Sequence, residues 1–414
     1  MRVFYLPVPL KSINLLDGRM QAGSVTREQT FSPFDFSCMK RAFSLAGRGA
    51  GKTSPNPMVG AVLVKDGRII GEGWHRRHGE AHAEAEAVKA ALAAGFSPAD
   101  AVLYCTLEPC CFKAPDKLQP PCCELVIKSG IKKVYIANLD PNARVSGKGV
   151  KQLAAAGIEV KSGLCAEAGE ELNRAFFTFH RLGRPFVHLK MAQTLDGKAA
   201  ATDGSSRWIS DETARRLVHR LRAFYDAVLI GSGTALADDP ELTVRLVKGR
   251  SPHRVIIDSG LAISTKAKLF SLSDPKSAEE PGKNIIVHSD SAPARKAEKL
   301  RSLGATLIPL KAEKAGILPL KEVLAELGKL RIQSVFVEGG ASITSSFISG
   351  GLWDRLSLFI APVLLGGGTD VISGLGIKSM DQAMRFGNGV FRQIGSQVLF
   401  EVNREGGANV HRDC

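Results

Sequence analysis

AHAEAEAVKAALAAG (residues 81–95), AVLYCTLEPC (101–110) and PPCCELVIKSG (120–130) follow one another closely, and their reading decides the fold of the first half of the chain. The Ala-rich segment has the composition of a helix ending at Gly95, and the apolar run before Glu108 has that of a strand. A second helix is expected from Pro121 onward. His82 and Glu84 open the first helix, while Cys110 and Cys122 each follow a proline. Both cysteines are therefore expected at helix starts, where unpaired backbone N–H groups favour a thiolate. One imidazole and two thiolates leave the fourth corner of a zinc tetrahedron open, which is the layout of a catalytic metal. Glu84, two residues from His82, is the expected proton shuttle. A lone His at a helix start is ordinarily a surface residue, and a Cys in apolar text ordinarily fills core. Three such accidents in this order are a poor account of the stretch.

Working outward, strand-like and helix-like pieces alternate on both sides. SCMKRAFSLAG reads as a helix, and MVGAVLV with GRIIGEGW as a strand pair turning at Lys65-Asp66-Gly67. KKVYIAN, GVKQLAAAG, IEVKSG and a closing helix over 166–179 complete a three-layer α/β domain, residues 35–182. The pattern restarts after Leu182-Gly183-Arg184-Pro185 with FVHLKMAQT, and runs as a second α/β domain over 185–402. Its expected pieces include the helix DETARRLVHRLRAFY, the strands AVLIGS, HRVIIDS, NIIVHS and SVFVEGG, and a strand RLSLFIAPVLLG. Residues 1–34 carry no clear period and are expected to be a poorly ordered extension, with a transit-type leader or a start nearer Met20 as open readings; 403–414 read as a tail.

The 414 residues, 44% hydrophobic and 23% charged, exclude a collagen, a coiled-coil rod and a chiefly disordered chain. No apolar run approaches the roughly 18 residues a membrane helix needs. The net charge of +14 fits small phosphorylated ligands as well as nucleic acid, and the 6% aromatic content, with no basic–aromatic interleaving, argues against a nucleic-acid groove. Five of the eight cysteines fall between 105 and 123, which points to metal ligation in a reducing cytoplasm rather than to a disulfide scaffold.

His-x-Glu followed by Pro-Cys and a second Cys is the order found in zinc-dependent nucleobase deaminases. MKRAFSLAGRGAGKTSPNPMVGAVLV (39–64), HAEAEA (82–87), YCTLEPC (104–110) and PPCCELVIKSGIKKV (120–134) resemble the deaminase half of the bifunctional riboflavin-biosynthesis deaminase/reductases, and the resemblance runs over roughly residues 37 to 402. It implies a cytidine-deaminase-like α/β/α domain followed by a dihydrofolate-reductase-like α/β domain. It also implies zinc on His82, Cys110 and Cys122, Glu84 as catalytic residue, and Asn56 touching a phosphoribosylamino-pyrimidine. The chain departs from the family between the ligand cysteines: eleven residues stand where eight are usual, the loop's His and its basic-Thr pair are missing, and only Lys113 and Lys117 remain as charge substitutes. Cys111 and Cys123, adjacent thiols, are possible competitors for the metal.

VHLKMAQTLDGKAAATDGSSRWIS (187–210) resembles the opening of the reductase half, which uses NADPH. In GTALADDPELTVR (233–245), Asp238 and Asp239 beside Pro240 are read as a tight turn with oxygen acceptors and Arg245 as a fork for phosphate, and VEGGASITSSF (337–347) is read as a strand, a Gly-rich turn and a helix start able to meet an anion. The three-glycine dinucleotide motif is absent, so a Rossmann domain is not expected. The resemblance implies cofactor contacts at Ala192, Trp208, Thr234, Asp238, Ser259 and Gly340, Ala341, Ser342, Ile343, Thr344, Ser345 and Ser346. It implies substrate contacts at Lys190, Ser206, Arg222, Leu242, Arg245 and Glu338, with the two arginines on the sugar phosphate and Lys190 or Asp238 assisting proton transfer. Pairing through the reductase domain, as homodimer or higher homo-oligomer, is expected. Two other readings remain at this point: a chain in which only the reductase works, and a basic nucleic-acid-editing deaminase.

Overall fold

The computed structural model describes residues 31–113, 119–271, 282–313 and 316–404. Most of the expected N-terminal extension, Lys117 and the tail beyond Arg404 lie outside them. The chain divides after Leu182 into two compact units.

The first unit runs α1 (Pro33–Ala46), β1 (Gly60–Lys65), β2 (Arg68–Trp74), α2 (Ala83–Ala93), β3 (Val102–Leu107), α3 (Cys122–Lys128), β4 (Lys133–Asn138), α4 (Lys148–Ala155), β5 (Glu159–Ser162), α5 (Ala166–Leu172) and α6 (Arg174–Leu182). Its sheet has the order β2-β1-β3-β4-β5, antiparallel across β2-β1-β3 and parallel across β3-β4-β5. Strand alternation sorts the two faces. Ala61, Leu63, Leu103, Cys105, Val134 and Ile136 pack with α2, α3 and α4. Val62, Val64, Tyr104, Tyr135 and Ala137 pack with α1. Helix α1 starts at Pro33 rather than Ser37, because Ser32 and Asp35 form a reciprocal cap. The closing helix expected over 166–179 is two helices. Asn173 between them is buried and turns inward, its amide accepting from Met58 N and donating to Met58 O, both at 2.8 Å.

The second unit runs β6 (Phe186–Gln193), β7 (Lys198–Ala200), α7 (Glu212–Phe224), β8 (Ala227–Gly231), α8 (Ser232–Asp238), β9 (His253–Ile257), β10 (Asn284–Ser289), α9 (Ala294–Ser302), β11 (Thr306–Leu310), α10 (Leu320–Lys329), β12 (Ser334–Val337), α11 (Ala341–Ser349), β13 (Arg355–Ile360), β14 (Thr369–Asp370), β15 (Val390–Ile394) and β16 (Gln397–Asn403). The main sheet has the order β11-β10-β9-β8-β12-β6-β13-β16-β15, parallel from β11 to β13 and antiparallel through the final hairpin. Val187, Leu189 and Met191 of β6 join Val323, Leu324 and Leu327 of α10 and Phe347 of α11 in one core. His188 and Lys190 alternate with them and so face the other side of the sheet. The strand expected to run through Gly366 ends at Ile360, where Pro362 has no N–H to continue the ladder. In GTALADDPELTVR the first half is α8, and the chain leaves that helix through Asp239 in the left-handed region at φ +40°, within the Asp-Asp-Pro turn. The β15–β16 hairpin, α9 and β11 were not anticipated.

Helix α2 lies on β2 at backbone contact. A Cβ at Gly73 would fall inside van der Waals distance of the Ala83 carbonyl and the Ala87 amide, and one at Gly71 would strike the Ala87 carbonyl. Two glycines facing Ala83, Ala87 and Ala91 therefore set the depth at which His82 and Glu84 are held. Gly73→Val is expected to push α2 off the sheet and cost about 2–4 kcal/mol of deaminase-domain stability, read as a lowered urea midpoint with loss of bound zinc. An unchanged midpoint would show that α2 is not positioned by this contact.

Candidate active sites

His82 is the residue just before α2 and makes no side-chain cap of its own, so its imidazole is left to face the end of β3. Cys122 is the first residue of α3, preceded by Pro121 in extended conformation. Cys110 is not at a helix start as expected; it lies in irregular backbone beyond β3. It nevertheless meets a helix start, because Cys122 N donates to its Sγ (3.3 Å) and Cys123 N to its carbonyl (3.1 Å). His82 Nδ1 stands 3.2 Å from Cys122 Sγ and 3.5 Å from Cys110 Sγ, and the three donor atoms lie within 4.8 Å of one another. Cys123 turns away: its thiol donates to Pro109 O at 3.2 Å and sits in the core. Neither it nor Cys111 belongs to the donor cluster among the described residues, so the expected competition is not built. The donor set suits zinc. The hydrogen bond with the Cys110 thiol, then burial and the Glu84 carboxylate, push the Cys122 thiol up, so a thiolate pair here calls for a compensating cation.

Glu84 is fully buried, 3% exposed, one residue into α2. Burial pushes its carboxyl up, His82 opposes this and Cys110 adds to it. Asn56 donates from Nδ2 to His75 Nε2 (3.2 Å), and His75 Nδ1–H donates to the Ala81 carbonyl (3.1 Å). The His75 ring also stands edge-on to that of His82, centroids 5.3 Å apart. His75 was missed in the sequence because a single His after Trp74 carries no spacing signal. Glu108 was missed too. Its buried carboxylate accepts from Asp140 N (3.1 Å), Gly147 N (2.9 Å) and Val150 N (3.1 Å), which fixes the segment carrying Cys110. Lys113 is paired with Glu124 at 2.9 Å.

In the second unit, Arg222 of α7 forms a bidentate pair with Glu338, at 2.5 and 2.9 Å, and its third nitrogen donates to Thr243 O at 3.0 Å. The pair is 12% and 9% exposed. Burial pushes the Glu338 carboxyl up, but Arg222, with Lys190 beyond it, overcomes that and holds it below its usual range. Arg222 is thus paired with protein groups, whereas the Arg245 side chain is exposed and donates to Glu241 at 3.2 Å and Thr243 at 3.4 Å. Lys190, half-buried on β6, is pulled down by burial and by Arg222 and pushed up by Glu338. Leu242, buried, adopts φ +55°.

Gly340 caps α11, and its N–H donates to Thr234 Oγ1 at 3.0 Å, which joins the Gly-rich turn to α8. Gly339 leaves no room for a Cβ beside Ile343. Beyond the first turn α11 faces inward: Thr344 and Ser345 are buried, and Ser345 Oγ accepts from Ser373 N while Ser346 Oγ donates to Ser342 O. With the Gly340 amide taken by Thr234, the first-turn amides of α11 that lack an intrahelical acceptor are those of Ala341, Ser342 and Ile343. Asp238 is exposed at the end of α8. Trp208 is exposed under the Arg215 guanidinium, 4.3 Å from the ring centroid, with Ser206 two residues before it. Ala192 lies on β6, and Ser259 just past β9 receives Ser289 N on its carbonyl at 3.0 Å.

Fold and donor set together define a zinc deaminase domain followed by a reductase domain. Residues 34–138 match the cytidine and deoxycytidylate deaminase zinc-binding region, and residues 185–400 match the RibD C-terminal domain. The chain is 41% identical over 371 residues to the riboflavin biosynthesis protein RibD of Aquifex aeolicus, covering 89% of this chain and 98% of that one. It is 37% identical to RibD of Escherichia coli, covering 88% and 98%. The crystal structure of a diaminohydroxyphosphoribosylaminopyrimidine deaminase/5-amino-6-(5-phosphoribosylamino)uracil reductase from Thermotoga maritima is similar, with TM-score 0.77, 38% identity and coverage of 89% and 98%. So is RibD of Acinetobacter baumannii, with TM-score 0.79, 34% identity and coverage of 90% and 99%. The chain belongs to the RibD family of bifunctional deaminase/reductases of riboflavin biosynthesis. Zinc and NADPH are the cofactors of this pairing of domains. No helix among the described residues is long and apolar enough to cross a membrane.

Glu338→Gln keeps the shape of the Arg222 pair and removes its charge. It is expected to cost about 3 kcal/mol of reductase-domain stability, because a buried guanidinium is left without a counter-ion. Urea unfolding of the two proteins measures this, and equal midpoints would mean that the pair is dispensable for the fold.

Proposed function

We propose that the first domain hydrolytically deaminates 2,5-diamino-6-hydroxy-4-(5-phosphoribosylamino)pyrimidine, and that the second reduces the ribosyl group of 5-amino-6-(5-phosphoribosylamino)uracil to ribityl. The observation that carries the reading is the meeting of His82, Cys110 and Cys122 beside a buried Glu84. The activities in the description of the Thermotoga maritima relative support the choice of substrates.

His82, Cys110 and Cys122 would hold zinc, which when bound would supply the Lewis acidity that makes water nucleophilic near neutral pH. Glu84 takes a proton from the attacking water and hands it to the departing amine as ammonia forms. Its burial supports this role, since a carboxyl pushed upward holds a proton readily. Asn56, oriented by His75, turns its free carbonyl oxygen to the pyrimidine.

In the reductase domain NADPH, when bound, would supply the hydride for C1 of the open imine form. The glycine turn from Gly340, fixed by Thr234, and the first-turn amides of Ala341, Ser342 and Ile343 would hold its phosphates. Ala192, Trp208, Asp238 and Ser259 line the rest of the cofactor path, and Ser206 and Leu242 line that of the substrate. Lys190 delivers the proton in preference to Asp238, because it is half-buried between Glu338 and Arg222 whereas Asp238 stands in water. Arg245 takes the sugar phosphate, with Arg222 committed to Glu338.

We place the enzyme in a reducing cytoplasm, in keeping with the seven described cysteines, none of which is in a disulfide. Homo-oligomers form through the reductase domain, where the edge strand β15 exposes Phe391 at 67% and Val390 at 54%. Nothing observed favours a chain with the reductase alone active or a nucleic-acid editor: the three metal donors meet despite the lengthened loop between two of them.

Glu84→Gln is expected to lower deamination by at least about 10³-fold while zinc content and NADPH oxidation with deaminated substrate stay at wild-type levels. Ammonia release at near the wild-type rate would remove Glu84 from the mechanism. Arg245→Ala is expected to raise KM for the phosphorylated uracil by about 10- to 30-fold, the worth of a charge-assisted phosphate contact. A KM that does not move would place the phosphate elsewhere.

A further inference from the structure

The segment Glu241–Arg245 follows α8 with no regular structure, yet three of its successive residues have a backbone group held by a different side chain. Thr243 O accepts from Arg222 (3.0 Å), Val244 N donates to Ser251 Oγ (3.1 Å), and Arg245 N donates to His219 Nδ1 (3.1 Å). The turn preceding them bends through Leu242 at φ +55°, a conformation a branched residue does not adopt without support. His219 and Arg222 lie three residues apart on α7 and so share one face of it. His219 is 5% exposed.

We propose that His219 is a positioning residue of the reductase site, which sets the origin of the Arg245 side chain by holding the Arg245 amide, and thereby governs affinity for the phosphate of the substrate. The idea rests on Arg245 being the phosphate ligand. An imidazole that receives a peptide N–H on Nδ1 keeps that nitrogen unprotonated. The surroundings maintain this state: burial first, then Arg222, Arg245 and Arg215 push the ring down to about 4, and Glu338 alone opposes them. A charged ring would both lose the Arg245 amide and repel the guanidinium it serves. Arg245 itself needs this help. Its side chain is 54% exposed and its contacts, to Glu241 and Thr243, are within its own segment, so the direction in which it leaves the backbone is set at its N–H.

Three variants of the full-length protein decide the matter, assayed for NADPH oxidation with the phosphorylated uracil and for ammonia release. His219→Ala is expected to raise KM for the uracil about 5- to 20-fold, with kcat, KM for NADPH and deamination within about twofold of wild type. His219→Asn, whose side-chain oxygen can occupy the place of Nδ1, is expected to restore KM to within about threefold. In the Arg245→Ala background, His219→Ala is expected to add less than about twofold, because the residue it positions is gone. A wild-type KM in His219→Ala, a full additive effect in the double variant, or equal losses in the Ala and Asn variants would each overturn the proposal. An unaltered KM in Arg245→Ala would instead remove the phosphate reading on which it stands.

Discussion

The deaminase site depends on one reach of backbone, from the end of β3 to the first turn of α3. Cys110 takes the Cys122 amide on its sulfur and the Cys123 amide on its carbonyl, so two chain segments separated by a long loop are locked at the point where both thiols must stand. An α-helix start has amides to spare, and a thiolate is a fitting acceptor for them. The lengthened loop between the cysteines can therefore differ from its relatives without moving the metal donors.

Around that lock the architecture supplies the other donor from the opposite direction. Helix α2 is laid on β2 at the depth allowed by Gly71 and Gly73, which brings His82 and Glu84 over the end of β3. Glu108 then gathers three amides from the far side and holds the backbone that carries Cys110. The reductase unit solves a comparable problem with charge. Arg222 and Glu338, drawn from α7 and the end of β12, neutralise one another in the interior.

Much of this was legible in the linear text. The alternation of strands and helices, the restart near Gly183, the donors His82, Cys110 and Cys122 and the Gly-rich turn before α11 all have local signatures: period, breaker residues or ligand spacing. Less was legible where a side chain serves backbone far away in sequence. Asn173 splits a helix to satisfy Met58, Glu108 binds amides 32 to 42 residues on, and His75 orients Asn56 while bracing His82. Such residues look like any solitary polar group, because their partners are peptide units without sequence identity.

The sequence by itself determined which chemistries were present: a zinc-type donor set with an acid beside it, and a second domain rich in cations and able to receive a nucleotide. Those are properties of residue type and near-neighbour spacing. The tertiary structure alone decided how each charge is spent. Burial and long-range pairing assign Arg222 to Glu338, turn Cys123 into the core and away from the donors, and bury Thr344 and Ser345 behind the first turn of α11. A side chain's role follows from the dielectric and the partner it meets, and both are fixed only when distant strands and helices close around it.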